Sequence, residues 1–344
     1  MMTSLLMKRS PVAACGVRLT RSLNRYTPVS IHTRQFEATK QPRELLGTPH
    51  SPLRAFASTS SAASRGVTHG QANENFAAVA TGGFEYPGIP EFKDPYAKRQ
   101  WQLEHMAGAF RVFARMGFTE GASGHISVRD PVDPETFWIN PMGVHFALLK
   151  ASDMVHIDEA GQVIGGNRTA VNAAGFMIHS AIHKARPDIN AACHTHSKYG
   201  KAWSTFGRPL DIINQDGCMF WNNHGVYSSF GGVALQDEEG VRIAQSLGPT
   251  HRAVILQNHG ILTAGGTVDE AAYLYTLMER TCEIQLLAEA TGLEKKLVSE
   301  EEAEYTYKYT GDPETLYSEF QPDFQYEVAM SNGELNGGRE FSNK

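Results

Sequence analysis

The sequence has few cysteines and no long apolar run. Its 344 residues include four cysteines (Cys15, Cys193, Cys218 and Cys282), which lie far apart and form no Cys-x-x-Cys pair. This spacing argues against a disulfide framework and indicates reduced thiols in a protein that is not secreted. No window approaches 18 uninterrupted apolar residues, so the sequence predicts no membrane-spanning helix.

The chain also lacks an excess of basic residues. Lys and Arg total 31 against 37 for Asp and Glu, which gives a net charge of -6. We therefore expect no nucleic-acid partner. The 41% of hydrophobic and 20% of charged residues are ordinary globular usage, enough for one large domain or two small ones.

Acidic residues are absent from the first 35 positions. The same positions hold six basic residues: Lys8, Arg9, Arg18, Arg21, Arg25 and Arg34. Ser and Thr are frequent there, and this composition is typical of a mitochondrial transit peptide. Arg34 and Arg54 each stand two residues before a Phe, which resembles matrix-processing sites. We predict a transit or disordered segment over 1–63 and a mitochondrial location; the alternative is a disordered tail on a cytoplasmic protein.

Proline and glycine divide the remaining chain into helices and strands. Residues 64–93 have linker composition, and Asp94-Pro95 supplies an N-cap and a first helical position, with Gly117 ending the helix. Hydrophobic patterning predicts further helices over 172–185, 237–247 and 268–291. It predicts strands over 125–129, 137–140, 154–158, 162–164, 189–196 and 252–257. This interleaving indicates an α/β or α+β protein whose helices cover a sheet.

Three histidines lie at the ends of predicted strands. His194 and His196 are two apart on an apolar strand, so their side chains share a face, and His259 follows the buried strand 252–257. Paired, partly desolvated imidazoles are explained by neutral ligation of a divalent metal. The alternative is a pair of water-facing histidines at a strand end.

Several motifs in a fixed order resemble the class II aldolase/adducin-head family across roughly 95–290. They are Gly124–Arg129 (GHISVR), Ile139–Gly143 (INPMG), Arg186-Pro187-Asp188 before His194-Thr195-His196, and Asn258-His259-Gly260 before a long helix. The resemblance implies an αβα layered fold around a mainly antiparallel sheet, with the domain spanning 94–293 and a C-terminal extension over 294–344 that frays after about 330. It also implies a homo-oligomer, of tetrameric type, with active sites at subunit borders.

The resemblance assigns roles to individual residues. His194, His196 and His259 take the metal positions, for zinc first and iron or manganese as alternatives. His125 and Tyr227 are candidate proton carriers, with His224 a further acid/base candidate. His179 and His183, four apart on one helix face, are expected to pack or hydrogen-bond structurally. Substrate contacts are expected from Gly124, Ser127, Gly143 and Asn172.

The sequence departs from the sugar-phosphate aldolases of that family. Gly175 stands where they carry a Glu that binds metal and moves protons, and Ala173 and Ala174 replace two phosphate-binding serines. We therefore expect more room beside the metal and a poor phosphate site. Were the alignment shifted by one helical turn, Asp188 or Asp216 would supply the carboxylate instead.

These features predict a metal-dependent carbon–carbon lyase acting on a small unphosphorylated 2-oxo or hydroxy acid. Two alternatives remain open. One is a non-haem iron oxygenase on the same histidines, as in the decarboxylase-like and oxygenase branch that this chain resembles. The other is a non-catalytic adducin-like scaffold.

The N-terminal composition generates a direct prediction. A fusion of residues 1–70 to a fluorescent reporter should enter mitochondria, because six basic and no acidic residues occupy 1–35. Fluorescence microscopy against a mitochondrial stain measures this, with the reporter alone as control. A diffuse cytosolic signal from the fusion would contradict the assignment.

Overall fold

The computed structural model describes residues 67–69, 75, 88–232 and 237–335. The predicted transit segment 1–63 lies outside these residues, as does most of the linker. Within the described part of the chain, none of the helices has the length and apolarity needed to cross a bilayer.

Seven helices are described. They are α1 (Pro95–Arg115), α2 (Ala173–Ala185), α3 (Lys198–Ser204), α4 (Asp237–Leu247), α5 (Val268–Ala290), α6 (Glu300–Thr310) and α7 (Pro313–Met330). The strands are β1 (Val67–His69), β2 (Pro90–Phe92), β3 (His125–Arg129), β4 (Phe137–Ile139), β5 (Val155–Ile157), β6 (Val163–Gly166), β7 (Ala191–Thr195), β8 (His224–Tyr227), β9 (Ala253–Leu256) and β10 (Gly260–Gly265). Short 3-10 turns cover Phe146–Leu148, Ala151–Asp153 and Asp216–Phe220.

One eight-stranded sheet organises the fold, in the order β6-β5-β4-β3-β7-β10-β9-β8. Every neighbouring pair in it is antiparallel except β8 and β9. The predicted mainly antiparallel sheet is confirmed. A separate β1–β2 pair precedes it.

Helices cover both faces of the sheet because side chains alternate along each strand. Ile126 of β3 and Cys193 of β7 join a large core cluster with residues of α1, α5 and α7. On the opposite face, Val254 of β9 and Leu262 of β10 pack with residues of α2 and α4. These three layers confirm the predicted αβα fold.

The helix starts agree with the sequence because local capping fixes them. The Asp94 side chain accepts a hydrogen bond from the Tyr96 N–H at the start of α1, and Asn172 accepts from Gly175 at the start of α2. Thr267 caps α5 by accepting from the Glu270 N–H. The Glu270 carboxylate accepts from the Gly266 N–H rather than from the Thr267 N–H, so only half of a capping box is formed.

The chain beyond 293 contributes two helices. Leu316, Phe320 and Phe324 of α7 are buried in the same core cluster as α1 and α5. Leu335, which follows α7, is fully buried. This segment therefore completes one side of the sandwich. Residues 336–344 lie outside the described part, so the predicted fraying of the C-terminus stays a prediction.

Candidate metal centre

Strand pairing places the candidate ligands on one face of the sheet. His194 in β7 lies opposite His125 of β3 and opposite Leu262 of β10, and cross-strand partners project on the same side. His196 follows immediately after β7 ends. His259 stands in the tight turn between β9 and β10, next to Asn258, whose φ of 59° lies in the left-handed region that Asn tolerates.

The three histidines converge. One ring nitrogen from each of His194, His196 and His259 lies within 4.8 Å of the others. The Nε2 atoms of His196 and His259 are 3.1 Å apart. Two nitrogens bound at about 2.0–2.1 Å to one tetrahedral metal lie roughly 3.3 Å apart, so the spacing is compatible with shared ligation.

His194 is held in the tautomer that a metal requires. Its Nδ1–H donates to the Ile261 carbonyl oxygen at 2.8 Å, and a carbonyl can only accept. The Nε2 atom therefore carries the lone pair, and it is buried without a hydrogen-bond partner. A backbone carbonyl that fixes the second nitrogen is the usual support of a metal-binding histidine.

The surroundings keep these imidazoles neutral. Burial, with the neighbouring imidazoles, lowers the pKa of His194 well below its ordinary value and lowers the pKa of His259 to about 4. Burial also lowers the pKa of His196, although nearby Glu120 opposes the effect. Neutral imidazole is the ligand form, so the donor set fits a divalent cation.

Helix α5 fixes the turn that carries His196, a contribution that sequence analysis missed. The Tyr275 hydroxyl donates to the Thr195 carbonyl oxygen at 2.8 Å and accepts from the Thr195 N–H at 3.2 Å. The buried Glu279 carboxylate accepts from the Ser197 hydroxyl and the Gly200 N–H at 2.5 and 2.6 Å. The four-residue spacing of Tyr275 and Glu279 puts both on one helix face, but only the fold shows that this face meets β7.

His125 fills the space that Gly175 leaves open. A Cβ built on Gly175 would lie 2.4–2.5 Å from three atoms of the His125 ring. The predicted extra room beside the metal is therefore wrong, because the imidazole occupies it. The His125 ring is buried 5.3 Å from the His194 ring, centroid to centroid, and neither of its nitrogens has a hydrogen-bond partner.

Behind His125, a buried network joins β3 to α2. The Ser127 hydroxyl oxygen lies 2.7 Å from His179 Nδ1 and 2.8 Å from His183 Nε2. His183 Nδ1 lies 3.2 Å from the Ile189 carbonyl oxygen. His179 and His183 thus hydrogen-bond within the protein, as expected. The Ser127 hydroxyl is engaged by both of them, so its proton is not free to bind a substrate.

The other three predicted substrate contacts, Gly124, Asn172 and Gly143, lie in different local environments. Gly124 has a φ of 96°, a Cβ there would lie 3.0 Å from Phe146 and 3.3 Å from Thr195, and the residue directly precedes His125. Asn172 caps the helix that carries Gly175. Gly143 stands in an exposed turn with no described atom near its Cβ position. Their roles toward a substrate stay predictions.

Tyr227 lies in a polar cluster inside the α2–α4 layer. Its hydroxyl accepts from Arg242 Nε at 3.3 Å, and Arg242 also pairs with Glu239. The Glu239 carboxylate accepts from the Gly231 N–H at 3.2 Å and is close enough to raise the pKa of His259 against the effect of burial. Sequence analysis did not single out Glu239, and only the tertiary structure shows that its charge acts on His259.

The remaining candidates point elsewhere. His224 donates from Nδ1 to the Phe220 carbonyl oxygen and accepts at Nε2 from the Leu210 N–H. Both of its nitrogens are therefore hydrogen-bonded to backbone groups. Asp188 binds Arg186 and Arg252, and it is occupied by these pairings rather than by the histidines. At the rim near His196, Lys201 pairs with Glu120.

A cluster of neutral imidazoles at one end of a mainly antiparallel sheet in an αβα sandwich is a candidate metal site on a fold of the aldolase type. The chain belongs to the family described as Class II Aldolase and Adducin N-terminal domain, which matches residues 104–286. The family resemblance inferred from the sequence motifs is confirmed.

Curated relatives of several kinds are similar to the chain. The Meiotically up-regulated gene 14 protein of Schizosaccharomyces pombe is 52% identical over 250 residues, covering 72% of this chain and 97% of the relative. Decarboxylase NovR of Streptomyces niveus is 38% identical, covering 70% and 89%. The 4-hydroxy-3-prenylphenylpyruvate oxygenase/4-hydroxy-3-prenylbenzoate synthase of Streptomyces roseochromogenus is 40% identical, covering 61% and 76%.

Among solved structures, L-fuculose 1-phosphate aldolase from Glaciozyma antarctica PI12 superposes with a TM-score of 0.66 at 40% sequence identity. The match covers 72% of this chain and 96% of that one. The fold is therefore that of the class II aldolases, and the family includes decarboxylase, oxygenase and aldolase relatives.

The metal centre can be tested by substitution. His194→Ala should lower metal affinity by more than about 100-fold, because changes to residues behind the ligands already cost 10–100-fold. The double substitution His194→Ala/His259→Ala should abolish binding. Elemental analysis of protein equilibrated with zinc and then desalted measures this.

The matched control is His145→Ala, because His145 is exposed and lies apart from the three histidines. This variant should keep the wild-type metal content. Near-stoichiometric metal in the double variant would refute the site.

The buried histidines also predict a pH-dependent stability. Burial lowers the pKa of His183 to about 3, whereas an unfolded histidine titrates near 6.5. The unfolded chain therefore gains a proton that the folded protein excludes, and stability is lost as pH falls below about 6.5. Between pH 7.5 and 5.5 this residue should cost about 1.4 kcal/mol of unfolding free energy.

Urea unfolding of the chelator-treated protein at the two pH values measures this loss. His183→Asn should reduce the difference between them by about 1.4 kcal/mol, while the exposed control His145→Asn should leave it unchanged. An identical pH dependence in wild type and His183→Asn would contradict the burial argument.

Proposed function

We propose that this chain is a metal-dependent carbon–carbon lyase acting on a small unphosphorylated 2-oxo or hydroxy acid. The observation that carries the proposal is the orphaned, buried Nε2 of His194, which faces His196 and His259 while its Nδ1–H is fixed on Ile261. A divalent metal bound to these three residues, zinc in the first instance, would supply Lewis-acid polarisation of a substrate carbonyl or carboxylate oxygen.

The polar groups around the site favour an unphosphorylated substrate. A phosphate needs hydroxyl, amide or cationic donors. Ala173 and Ala174 offer no hydroxyl, and the Ser127 hydroxyl is held by His179 and His183. Lys201, the cation beside His196, already pairs with Glu120. Small carboxylates need fewer donors than a phosphate and suit this surrounding better.

His125 is the proposed proton carrier. It stands beside His194 where an aldolase carboxylate would reach, and both of its nitrogens are free of protein partners. With a hydroxy acid, His125 would accept the hydroxyl proton as the carbon–carbon bond breaks. It would return that proton to the carbon that keeps the bonding electron pair. Tyr227 is the second candidate proton carrier, although its hydroxyl already accepts a hydrogen bond from Arg242.

An oxygenase is the second candidate function. Three imidazoles without a carboxylate in the group leave coordination positions open, which iron-based dioxygen chemistry requires. The similarity to the Streptomyces roseochromogenus oxygenase supports this alternative. Bound iron together with dioxygen consumption would select it over the lyase.

Location and assembly belong to the same proposal. We place the enzyme in mitochondria on the basis of the N-terminal composition, and we infer a homo-oligomer from the family resemblance. A scaffold role, as suggested by the adducin part of the family, would require no metal and no turnover.

A substrate comparison tests the proposal. Purified zinc-, manganese- and iron-loaded protein is assayed on aliphatic and aromatic 2-oxo and hydroxy acids alongside fuculose- and ribulose-type phosphates. We expect cleavage of an unphosphorylated acid and its loss in His194→Ala, because that variant lacks the central ligand. His145→Ala serves as the active control.

Efficient cleavage of a sugar phosphate with none of the acids would overturn the substrate class. Dioxygen uptake by the iron form alone would replace the lyase with the oxygenase. Full-length folded protein that binds metal yet turns over none of these compounds in any metal form would favour the scaffold.

A further inference from the structure

The hydrogen bonds behind His125 have a direction that one backbone group imposes. The Ile189 carbonyl can only accept, so His183 Nδ1 carries the proton of that 3.2 Å bond. With its pKa lowered to about 3, His183 is neutral and its Nε2 has only a lone pair. The Ser127 hydroxyl must therefore donate to His183 Nε2 across 2.8 Å.

The direction of the Ser127–His183 bond also fixes the direction of the bond between Ser127 and His179. A serine hydroxyl has a single proton, and Ser127 uses it on His183. Its oxygen then accepts from His179, so the proton of His179 sits on Nδ1, 2.7 Å from Ser127. The Nε2 of His179 is left as an acceptor, and this atom is buried without a partner.

His125 is the neighbour that can donate a hydrogen bond to His179 Nε2. The two rings lie edge to face with their centroids 4.6 Å apart, and both His125 nitrogens lack partners. A buried acceptor without a partner is destabilising, and catalytic hydrogen bonds commonly tighten only when substrate binds. A small rotation of His125 would direct its N–H to His179 and leave its other nitrogen as a lone pair.

We propose that Ser127, His179 and His183 form a directional relay, anchored on the Ile189 carbonyl, that holds His125 as a proton acceptor beside the three metal histidines. Ser127, His179 and His183 are positioning residues, and His125 is the group that meets the substrate. This inference rests on the proposed function for the identity of the reaction, but the proton positions follow from the hydrogen bonds and from the neutrality of buried His183.

Gly175 provides the space in which the His125 ring lies. Its missing Cβ is what allows the His125 ring to stand between α2 and His194, since a Cβ would approach the ring to 2.4 Å. Ala185, at the other end of α2, is exposed and offers a control on the same helix.

The relay is tested first without any activity. In protein with ¹⁵N-labelled histidine, long-range ¹H–¹⁵N spectra distinguish the two neutral tautomers of each ring. We expect Nδ1–H for both His179 and His183 in the wild type, and loss of the fixed Nδ1–H signal of His179 in Ser127→Ala. An Nε2–H tautomer at either residue in the wild type would overturn the relay, and no variant is needed for that result.

Kinetics then separate positioning from structure. Ser127→Ala should lower kcat about 100-fold, the lower end of a general acid–base contribution, with KM and metal content unchanged. Ser127→Thr, which keeps the hydroxyl, should restore most of kcat. Ser204→Ala is the matched control, because Ser204 is also fully buried but donates to the Lys201 carbonyl oxygen instead.

Gly175→Ala provides an independent arm. It should lower kcat by a similar factor, because a displacement of about 1 Å in a catalytic group costs on the order of 100-fold. The His179 tautomer should stay as in wild type, and Ala185→Ser should behave as wild type. Wild-type kcat in Ser127→Ala would overturn the relay, whereas absence of wild-type turnover on every substrate would count against the proposed function and leave the spectroscopic result to decide the relay.

Discussion

The hydrogen bond from His194 Nδ1 to the Ile261 carbonyl oxygen is the contact on which the site depends. It joins the strand that carries His194 to the strand that follows the His259 turn, and it exists because β7 and β10 pair antiparallel with His194 opposite Leu262. The bond orients the ring and leaves one lone pair exposed to the other histidines. A slip of one residue in that register would turn His194 to the other face of the sheet.

Burying several imidazoles in one layer is energetically costly, and the fold compensates for most of this cost locally. His183, His179 and His194 each donate a proton to a serine or a carbonyl oxygen. In this layer, Nε2 of His194, Nε2 of His179 and both nitrogens of His125 have no hydrogen-bond partner. Buried polar groups of this kind are uncommon, and these four lie where a metal and a substrate would bind.

The His125 ring of β3 occupies the space that a side chain at Gly175 of α2 would fill. Loss of the side chain at the start of α2 opens a space, and an imidazole from β3 occupies it. The result is a neutral, nitrogen-rich wall at the position where the family resemblance predicts a carboxylate in sugar-phosphate aldolases. Helix α5, through Tyr275 and Glu279, independently fixes the turn after β7, so the ligands and the wall are supported from opposite layers.

Local features of the sequence determined the element types and the ligand set. Caps such as Asp94 and Asn172 act within one turn, so the helix starts were readable from it. The His-x-His spacing needed only the two-residue period of a strand to predict a shared face. What only the tertiary structure decided involves partners far apart in the chain. The ring of His125 occupies the space beside Gly175, Ser127 hydrogen-bonds to two histidines of α2, and the charge of Glu239 acts on His259. These contacts depend on how α2 and α4 pack against the sheet, and no periodicity within a single segment encodes that packing.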